Sequence, residues 1–315
     1  MSYTGHRYPI KIGFSDFWKK FDPLYNWFTT FLNQYYDVTI SNNPDFLIYS
    51  CYGDRHKSFN CVKIFYTPEN VRPNFSDCDY AITFDFINKN NHYRLPLYGI
   101  SFGLEPELLL RKEFDIERIF YEKRGFCAMV VSNERAKERL SFFSKLSKYK
   151  KVDSGGKAFN NIGGPIRDKM TFISNYRFTF AFENSSYSGY VTEKIYEPMF
   201  VNSIPIYWGS ESVNLDFNTS SLISLHDFSS DDECIDKIME LESDKYKYLD
   251  YLKQPWFNNN EINEYVNRDN IKLFFDKIFF TPIQPNSSWF LSNTYKVKFK
   301  GIDIYRRIRY SNIYF

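Results

Sequence analysis

The sequence predicts an α/β protein made of two Rossmann-like domains that face a cleft. Three observations support this fold class. Short apolar, β-branched or aromatic runs alternate with longer amphipathic stretches, the alternation starts again after residue 123, and residues 126–131 form a nearly unbroken apolar run. Such a run is typical of a buried parallel strand, and alternating strands and helices produce parallel sheets. A chain of 315 residues is long enough for two such domains.

The first domain is predicted at residues 1–122. Its opening strand lies at 10–14, and a helix follows at 23–36 because apolar side chains recur there at helical spacing. A charged helical stretch at residues 105–123 ends the domain. Between these helices, further apolar or β-branched runs predict strands at 45–49, 62–66, 80–84 and 95–98.

The second domain is predicted at residues 123–280. Thr192 is a candidate N-cap for a helix that begins at Glu193. Pro198 lies inside that helix and should kink or shorten it, because proline lacks a backbone N–H. After the strand at 126–131, the predicted strands are 177–182, 204–208 and 222–225, and the predicted helices are 134–148, 191–200 and 231–252.

Composition excludes several classes of protein. Lys and Arg number 40 against 38 Asp and Glu, so the net charge of +2 provides no overall attraction for nucleic acid. Hydrophobic residues make up 43% and charged residues 25%, which excludes wholesale disorder. Aromatic residues reach 20%. They either provide platforms for flat ligands such as sugars or reflect an AT-rich coding sequence.

The cysteine, histidine and hydropathy patterns predict a cytoplasmic protein without a metal. The five cysteines include no CxxC pair and are expected to be reduced core thiols. The four histidines share no metal-ligand spacing and no Asp-x-Asp motif suits a metal ion, so neither a metal nor another cofactor is expected. The opening residues lack the apolar run of a signal peptide, and no apolar stretch approaches the length of a membrane span.

The last segment, residues 281–315, is predicted to be a basic, aromatic tail. From residue 295 onward it contains six basic residues and one acid. Such a segment suits peripheral contact with anionic lipid at the inner face of the cytoplasmic membrane. Alternatively, the tail packs on the body of the protein, because residues 296–300 alternate like a strand and Gly301 interrupts any continuous amphipathic helix.

The densest signal for function lies at residues 180–195. A strand ends there in the polar pair Glu183 and Asn184, and a loop and a new helix follow. Ligands of open α/β sheets bind at the carboxyl ends of the strands, and a helix N-terminus offers free N–H groups to an anion. Lys194 lies in the first turn, where acids are preferred, and this indicates an anionic partner such as a phosphate. The alternative is an ion pair with Glu197, three residues further on.

Three motifs in this part of the chain resemble the donor-binding signature of the α1,3/1,4-fucosyltransferases, most closely the bacterial branch. They are Phe182-Glu-Asn184, Gly189-Tyr-Val-Thr-Glu-Lys194 and Ile204-Pro-Ile-Tyr-Trp-Gly209. Upstream, three segments together resemble the family's acceptor-side motif. They are Tyr66-Thr-Pro-Glu-Asn70, Pro73-Asn-Phe75 and Tyr80-Ala-Ile-Thr-Phe-Asp85. Residues 132–139 and Ser154-Gly-Gly156 fall in matching order, and the resemblance spans residues 8–280.

The resemblance implies a GT-B architecture, with an acceptor-binding domain at residues 1–122 and a GDP-fucose-binding domain at 123–280. It implies Glu69 as the general base, and Arg139 and Lys194 as partners of the pyrophosphate. The other donor contacts that it implies are Asn184, Tyr190, Glu193 and Ile166, the last of which would line the guanine cleft.

The implied activity is the transfer of L-fucose from GDP-fucose to the 3-hydroxyl or 4-hydroxyl of a GlcNAc-containing oligosaccharide, with inversion at the sugar and a Lewis-type product. The acceptor would be of the N-acetyllactosamine or lacto-N-biose type, on lipopolysaccharide or capsule. One carboxylate that takes the acceptor proton, with cations for the departing GDP, is a coherent set for this chemistry and requires no metal. Acceptor choice is expected in loops around Trp18, Tyr36 and residues 88–93.

The residues alone leave other interpretations open. Glu69 after Pro68 also suits an ordinary turn, Arg139 a surface charge on a helix, and Tyr190 a core aromatic. A catalytically inactive nucleotide-sugar-binding module is the main alternative function, and a GDP-release assay separates it from an enzyme. A nucleic-acid binder that uses the basic tail is a further alternative, against which the acidic remainder of the chain argues.

Overall fold

The computed structural model describes residues 7–100, 103, 105–111, 115–131, 137–157 and 159–281. These residues form two compact units. The N-terminal unit contains the described residues up to Thr83, the segment Ile87–Leu95 and the described residues from Arg268 onward. The C-terminal unit contains Phe84–Phe86 and the described residues from Pro96 to Asn267.

Parallel strands and intervening helices make up both units. The strands are β1 (Pro9–Ser15), β2 (Asp37–Ile40), β3 (Phe46–Tyr49), β4 (Val62–Tyr66), β5 (Tyr80–Thr83), β6 (His92–Arg94), β7 (Gly125–Met129), β8 (Val152–Ser154), β9 (Tyr176–Phe182), β10 (Ile204–Trp208) and β11 (Ile223–Ser224). The helices are α1 (Trp27–Leu32), α2 (Ile116–Glu122), α3 (Lys137–Tyr149), α4 (Lys169–Ile173), α5 (Glu193–Phe200), α6 (Asp231–Ser243), α7 (Lys245–Leu252) and α8 (Arg268–Phe280). Central strands such as β4 (VKIFY) and β9 (YRFTFAF) are rich in β-branched and aromatic residues, which fit a buried pleated surface.

The N-terminal unit is built on a six-stranded parallel sheet with the strand order β2-β1-β3-β4-β5-β6. Ile12, Leu47 and Ile64, on three adjacent strands, are completely buried. Helix α8 packs on this unit, where Phe274 meets the ring of Tyr80 at a centroid distance of 6.0 Å. The end of the described chain therefore belongs to the core of the first unit.

The C-terminal unit is built on a five-stranded parallel sheet with the order β11-β10-β9-β7-β8. Helix α5 packs against β9 and β10 and buries Ile195 and Met199 completely. The strand order reverses between β7 and β9, as it does between β1 and β3 in the other unit. Both units are Rossmann-like, so the predicted class of two such α/β domains is confirmed.

The predicted strand at residues 95–98 is wrong. The edge strand β6 lies earlier in the chain, and a short 3-10 turn occupies Leu97–Gly99. Pro96 explains the difference, because it offers no N–H to a sheet ladder and therefore does not continue the strand.

The predicted helix at 231–252 is two helices. Asp244 ends α6 and its carboxylate caps α7, where it accepts the N–H groups of Tyr246 and Lys247. Elements β2, β8 and α4 have at most five residues each, too few to show a period in the sequence. Helix α5 ends two residues after Pro198, in agreement with the expected shortening.

The two units divide the chain differently from the predicted boundaries at 122/123 and 280/281. Helix α8 was expected in the second domain, but Asp276 on α8 accepts a 2.7 Å hydrogen bond from the Tyr36 hydroxyl and Phe274 contacts the Tyr93 ring. Helix α8 joins the first unit through these long-range contacts, and local sequence patterns do not predict them. The predicted tail lies outside the described residues, apart from Thr281.

The five cysteines are free, and all except the half-buried Cys51 are buried, as expected for core thiols. In the part of the chain that the structure describes, no helix has both the length and the apolar character needed to cross a bilayer.

Candidate functional site

In the C-terminal unit, the predicted donor residues gather at the point where the strand order reverses. Helix α3, which carries Arg139, follows β7, and the pair Glu183 and Asn184 directly follows β9. These two strands are neighbours in the sheet. Open α/β sheets bind ligands at the carboxyl ends of the strands at such a reversal.

The segment between β9 and α5 is held in a defined turn. Gly189 has a φ of 83° there, and an added Cβ would lie 2.4 Å from the backbone oxygen of Phe84, so only glycine fits. Its N–H donates to the Ser210 hydroxyl at 2.8 Å. Thr192 is the N-cap of α5, as predicted, and its hydroxyl accepts the N–H of Lys194. The turn and the cap together fix the direction in which α5 begins.

The carboxylate of Glu183 joins β9 to the N-terminus of α5. Its side chain is completely buried. One oxygen accepts the backbone N–H of Thr192 at 2.7 Å, and the other accepts the Thr192 hydroxyl at 2.7 Å. Two charge-assisted hydrogen bonds from one residue hold the first turn of α5 against the end of the strand.

Both predicted cations contact Glu183. The Lys194 ammonium lies 3.4 Å from the second carboxylate oxygen, 3.1 Å from the Thr192 hydroxyl oxygen and 3.5 Å from the Glu193 carboxylate. The guanidinium of Arg139 donates to the backbone carbonyl of Phe182 at 2.6 Å and to that of Glu183 at 3.3 Å. The structure thus brings the two cations together around one buried acid.

Burial and charge compete in setting the pKa values of this cluster. Complete burial raises the pKa of Glu183, against the opposing effect of Lys194 and the Thr192 hydrogen bonds. Burial also lowers the pKa of Arg139. For Lys194 burial acts against the charged form, but the two carboxylates outweigh it and the pKa is raised.

The alternative partner of Lys194, Glu197, is occupied elsewhere. Its carboxylate forms an ion pair with Lys169 at the start of α4. The local i,i+3 interpretation of Lys194 is therefore wrong, because the tertiary contact with Glu183 replaces it.

The other predicted donor residues differ in exposure. Asn184 is exposed at the end of β9, and Glu193 is half-buried in the first turn of α5. Tyr190 is buried, with its ring edge against Phe84 at 4.9 Å. Ile166 lies at the carboxyl end of β8, where its N–H donates to the carbonyl of Gly155 at 3.0 Å. The roles of these four residues in donor binding stay predictions.

In the N-terminal unit, Glu69 is an exposed carboxylate just after β4. Its N–H donates to the Thr67 hydroxyl at 3.0 Å, which fixes the backbone of the turn. The Tyr52 hydroxyl donates to Oε1 of Glu69 at 2.9 Å. The second oxygen, Oε2, accepts no hydrogen bond from the described residues, so it is available to an incoming hydroxyl group.

A buried hydrogen-bonded pair of side chains, Asp16 and His56, lies behind Tyr52. The Asp16 carboxylate accepts a 2.7 Å hydrogen bond from Nδ1 of His56, and both side chains are 6% exposed. Asp16 also accepts the N–H groups of Arg55 and His56, and its backbone carbonyl accepts the N–H of Tyr52. Burial raises the pKa of Asp16, but these hydrogen bonds outweigh it and the pKa is lowered. The loop that carries Tyr52 is thereby tied to the end of β1.

Aromatic side chains lie beside Tyr52, the hydrogen-bond donor to Glu69. Trp18 is 42% exposed and meets the Tyr52 ring edge-on at 6.2 Å, with Phe21 behind it at 5.3 Å. Exposed aromatic faces of this kind suit contact with sugar rings. Tyr36, expected beside them, is instead a core residue under α8 with 3% of its surface exposed.

Sequence reasoning missed three members of these clusters. Glu183 lay inside a recognised motif but received no role, and Asp16 and Tyr52 carried no signal in the sequence. Each of the three forms its hydrogen bond with a residue that lies 9 to 40 positions away in the sequence, and local patterns do not reveal such a contact. Among the described residues, no three His, Cys, Asp or Glu side chains are grouped so as to hold a metal ion.

Two family models match the chain. The model described as the alpha-(1,3)-fucosyltransferase FucT N-terminal domain matches residues 12–101. The model for glycosyltransferase family 10 (fucosyltransferase), C-terminal part, matches residues 120–276.

Several known fucosyltransferases are similar to this chain. The alpha-(1,3)-fucosyltransferase FucT of Helicobacter pylori is 34% identical over 91% of this chain and 68% of its own length. The 4-galactosyl-N-acetylglucosaminide 3-alpha-L-fucosyltransferase 9 of Mus musculus is 30% identical over 45% of this chain and 39% of its own length. A crystal structure of an alpha1,3-fucosyltransferase superimposes with a TM-score of 0.77 and 30% identity, covering 91% of this chain and 94% of that one. A crystal structure of an alpha1,3-fucosyltransferase with GDP-fucose superimposes with a TM-score of 0.76 and 30% identity, covering 90% of this chain and 95% of that one.

Proposed function

This chain belongs to the fucosyltransferases of glycosyltransferase family 10, and we propose that it transfers L-fucose from GDP-fucose to the 3-hydroxyl or 4-hydroxyl of a GlcNAc-containing oligosaccharide, with inversion at the sugar. The observation that carries this proposal is the pair of cations at the carboxyl end of β9, beside the N-terminus of α5. A diphosphate is the ligand that such a site fits best.

The donor half of the reaction depends on Arg139 and Lys194. As the bond between C1 of fucose and the phosphate oxygen breaks, negative charge accumulates on the GDP that leaves. The Lys194 ammonium has three N–H donors, and the guanidinium of Arg139 has five, of which the hydrogen bonds to the backbone use only part. Cations that are fixed before the reaction stabilise this charge without reorganising.

The acceptor half depends on Glu69. Its Oε2 takes the proton of the acceptor hydroxyl as the oxygen of that hydroxyl forms a bond to C1 of fucose. The pair of electrons of the broken bond leaves with GDP, so one carboxylate is sufficient and no acid is needed for the leaving group. Attack from the side opposite the phosphate inverts the configuration at C1.

The acceptor is proposed to be of the N-acetyllactosamine or lacto-N-biose type. Trp18 and Tyr52 offer exposed aromatic surface within the same unit as Glu69, and Tyr52 contacts Glu69 directly. Apolar faces of pyranose rings pack on such surfaces while their hydroxyls hydrogen-bond at the rim. The product would be a Lewis-type structure.

The reaction is proposed to require no metal ion. Cations of the protein provide the charge that a divalent ion supplies in metal-dependent transferases. We expect full activity in EDTA, whereas complete loss in EDTA that manganese restores would contradict this part of the proposal.

The test is a transfer assay with defined acceptors. Purified protein is incubated with GDP-fucose and, in separate reactions, with lacto-N-biose, N-acetyllactosamine or lactose. NMR of the product then gives the linkage and the anomeric configuration. Fucosylation of at least one GlcNAc-containing acceptor is expected. Binding of GDP-fucose without transfer to any acceptor would indicate the inactive binding module instead.

A further inference from the structure

The most enclosed ionisable group near the proposed donor site is Glu183, which has no role in the reaction described above. It lies directly after β9 with a completely buried side chain. Both of its oxygens accept hydrogen bonds from Thr192 at 2.7 Å, so its position is fixed independently of any ligand. A carboxylate in such a place is costly to bury unless a cation compensates it.

The cations that compensate it are those proposed to bind the diphosphate. The groups that face Lys194 are the carboxylates of Glu183 and Glu193 and the guanidinium of Arg139, with the carboxylate of Glu197, itself paired with Lys169, further away. The first three come from the end of β9, the first turn of α5 and helix α3. Without Glu183, the ammonium would keep the half-buried Glu193 and the more distant Glu197, which Lys169 already neutralises, against the like charge of Arg139. In such a partly buried place lysine readily loses its proton.

We propose that Glu183 is a positioning residue for the transferase reaction, the fixed internal counter-ion that holds the Lys194 ammonium charged and aligned at the N-terminus of α5. This inference rests on the proposed function, because it concerns the cation that meets the diphosphate of GDP-fucose.

The hydrogen bonds show how the alignment is achieved. The Thr192 hydroxyl donates to Glu183 and accepts from the Lys194 ammonium at 3.1 Å, so the three side chains form a closed triangle. The carboxylate contact of Lys194 is longer, at 3.4 Å. An arriving diphosphate therefore meets an ammonium whose direction is set, while Glu183 stays in place through Thr192.

The experiment measures GDP binding by calorimetry from about pH 7 to about pH 10, a range below the ordinary pKa of lysine. In the wild-type protein the raised pKa of Lys194 keeps the ammonium charged, so the affinity should stay level. In Glu183→Gln, which preserves size and removes the charge, burial should dominate and lower that pKa. We expect the affinity to fall with rising pH, approaching about tenfold per unit once Lys194 loses its proton.

Two further variants isolate the cause. Glu240→Gln removes a carboxylate of the same unit that is paired with two other lysines, Lys237 and Lys247, and its profile should stay level. The double variant Glu183→Gln/Lys194→Arg carries an arginine that stays charged throughout this pH range. Its affinity for GDP should therefore no longer fall as the pH rises. A level profile for Glu183→Gln, or a loss of affinity that is equal at every pH, would overturn the inference.

A second measurement uses the wild-type protein alone, so it tests the inference even if the Glu183→Gln variant does not fold. Acetic anhydride labels neutral amines, and mass spectrometry of digests gives the pH at which Lys194 becomes reactive. We expect the midpoint for Lys194 above the ordinary lysine value of about 10.4, and a midpoint below it would contradict the inference. If wild-type protein binds no GDP at any pH, the proposed function fails instead.

Discussion

Each unit places a buried carboxylate at the end of a strand beside the point where its strand order reverses, and the two units use this carboxylate differently. Asp16 directly follows β1 and Glu183 directly follows β9, each beside the point where strand order reverses. Each accepts backbone N–H groups from a second segment, Arg55 and His56 in one unit and Thr192 in the other. In the N-terminal unit the partner side chain is a histidine, whereas in the C-terminal unit it is Lys194.

The difference follows from what each region is proposed to bind. A diphosphate requires fixed cations, and fixed cations in a partly buried place require an internal acid, so the buried carboxylate contacts the functional group directly. A general base must reach a substrate hydroxyl from the surface. Glu69 is therefore exposed, and it is held through Tyr52 rather than by a charge. A carboxylate at a strand end beside the reversal thus supports charge compensation in one unit and loop placement in the other.

The largest effect is expected from Glu69→Gln. The acceptor hydroxyl loses its proton acceptor, so turnover should fall by about 10²–10⁴-fold, while the affinity for GDP, bound through the other unit, stays unchanged. Asp77→Asn in the same β4–β5 connection is the matched control and should retain wild-type turnover. If Glu69→Gln kept more than half of the rate, the base would have to be another residue.

Lys194→Ala and Arg139→Ala test the proposed role of the cations in the C-terminal unit. Each removes a cation that stabilises charge on the leaving GDP, so each should lower turnover by about 10²–10³-fold and also weaken GDP binding. Lys169 on α4 forms an ion pair with Glu197 on α5. The control variant Lys169→Ala removes this ion pair and should leave GDP affinity near the wild-type value. Normal kinetics of Lys194→Ala would show that the charge cluster only stabilises the fold.

Asp16→Asn asks whether the buried acid of the N-terminal unit serves stability rather than chemistry. Asp16 has a φ of 58°, a conformation that asparagine also accepts, so the variant removes the charge alone. The lowered pKa means that the carboxylate stabilises the fold above about pH 4 and loses this effect as pH falls through its folded pKa.

Urea denaturation at neutral pH should therefore show a loss of about 2 kcal/mol in Asp16→Asn. The difference from wild type should shrink in acid. Asp45→Asn, which removes a surface ion pair with Lys11, is the control and should cost less than about 1 kcal/mol. Equal stability of Asp16→Asn and wild type at neutral pH would contradict a structural role for the pair with His56.

The smallest effect is expected from Tyr52→Phe. This change removes one hydrogen bond to an exposed carboxylate, worth about 1 kcal/mol, so turnover should fall by about fivefold with unchanged GDP affinity. Tyr25→Phe, at a highly exposed position of the same unit, should have no effect. A hundredfold loss in Tyr52→Phe would mean that the hydroxyl contacts the substrate itself.

Much of the fold and part of the site were predictable. The strands β1, β3, β4, β5, β7, β9 and β10 coincide with apolar runs, and Thr192 caps α5 as predicted, because these features depend on a few adjacent residues. The motifs also predicted Lys194 and Arg139 at one site; both contact Glu183, and their roles in donor binding stay predictions. The partners of these residues could not be predicted, since each lies on a different element.

The sequence by itself determined the parallel α/β class, the order of the motifs along the chain and the local caps, because strand period, helix period and capping act over a few residues. Only the tertiary structure decided that α8 returns to the first unit, that Asp16 meets His56 and that Lys194 pairs with Glu183 rather than with Glu197. These contacts depend on the order of strands in the sheets. That order is selected by the burial of whole faces against one another, and no short stretch of residues encodes it.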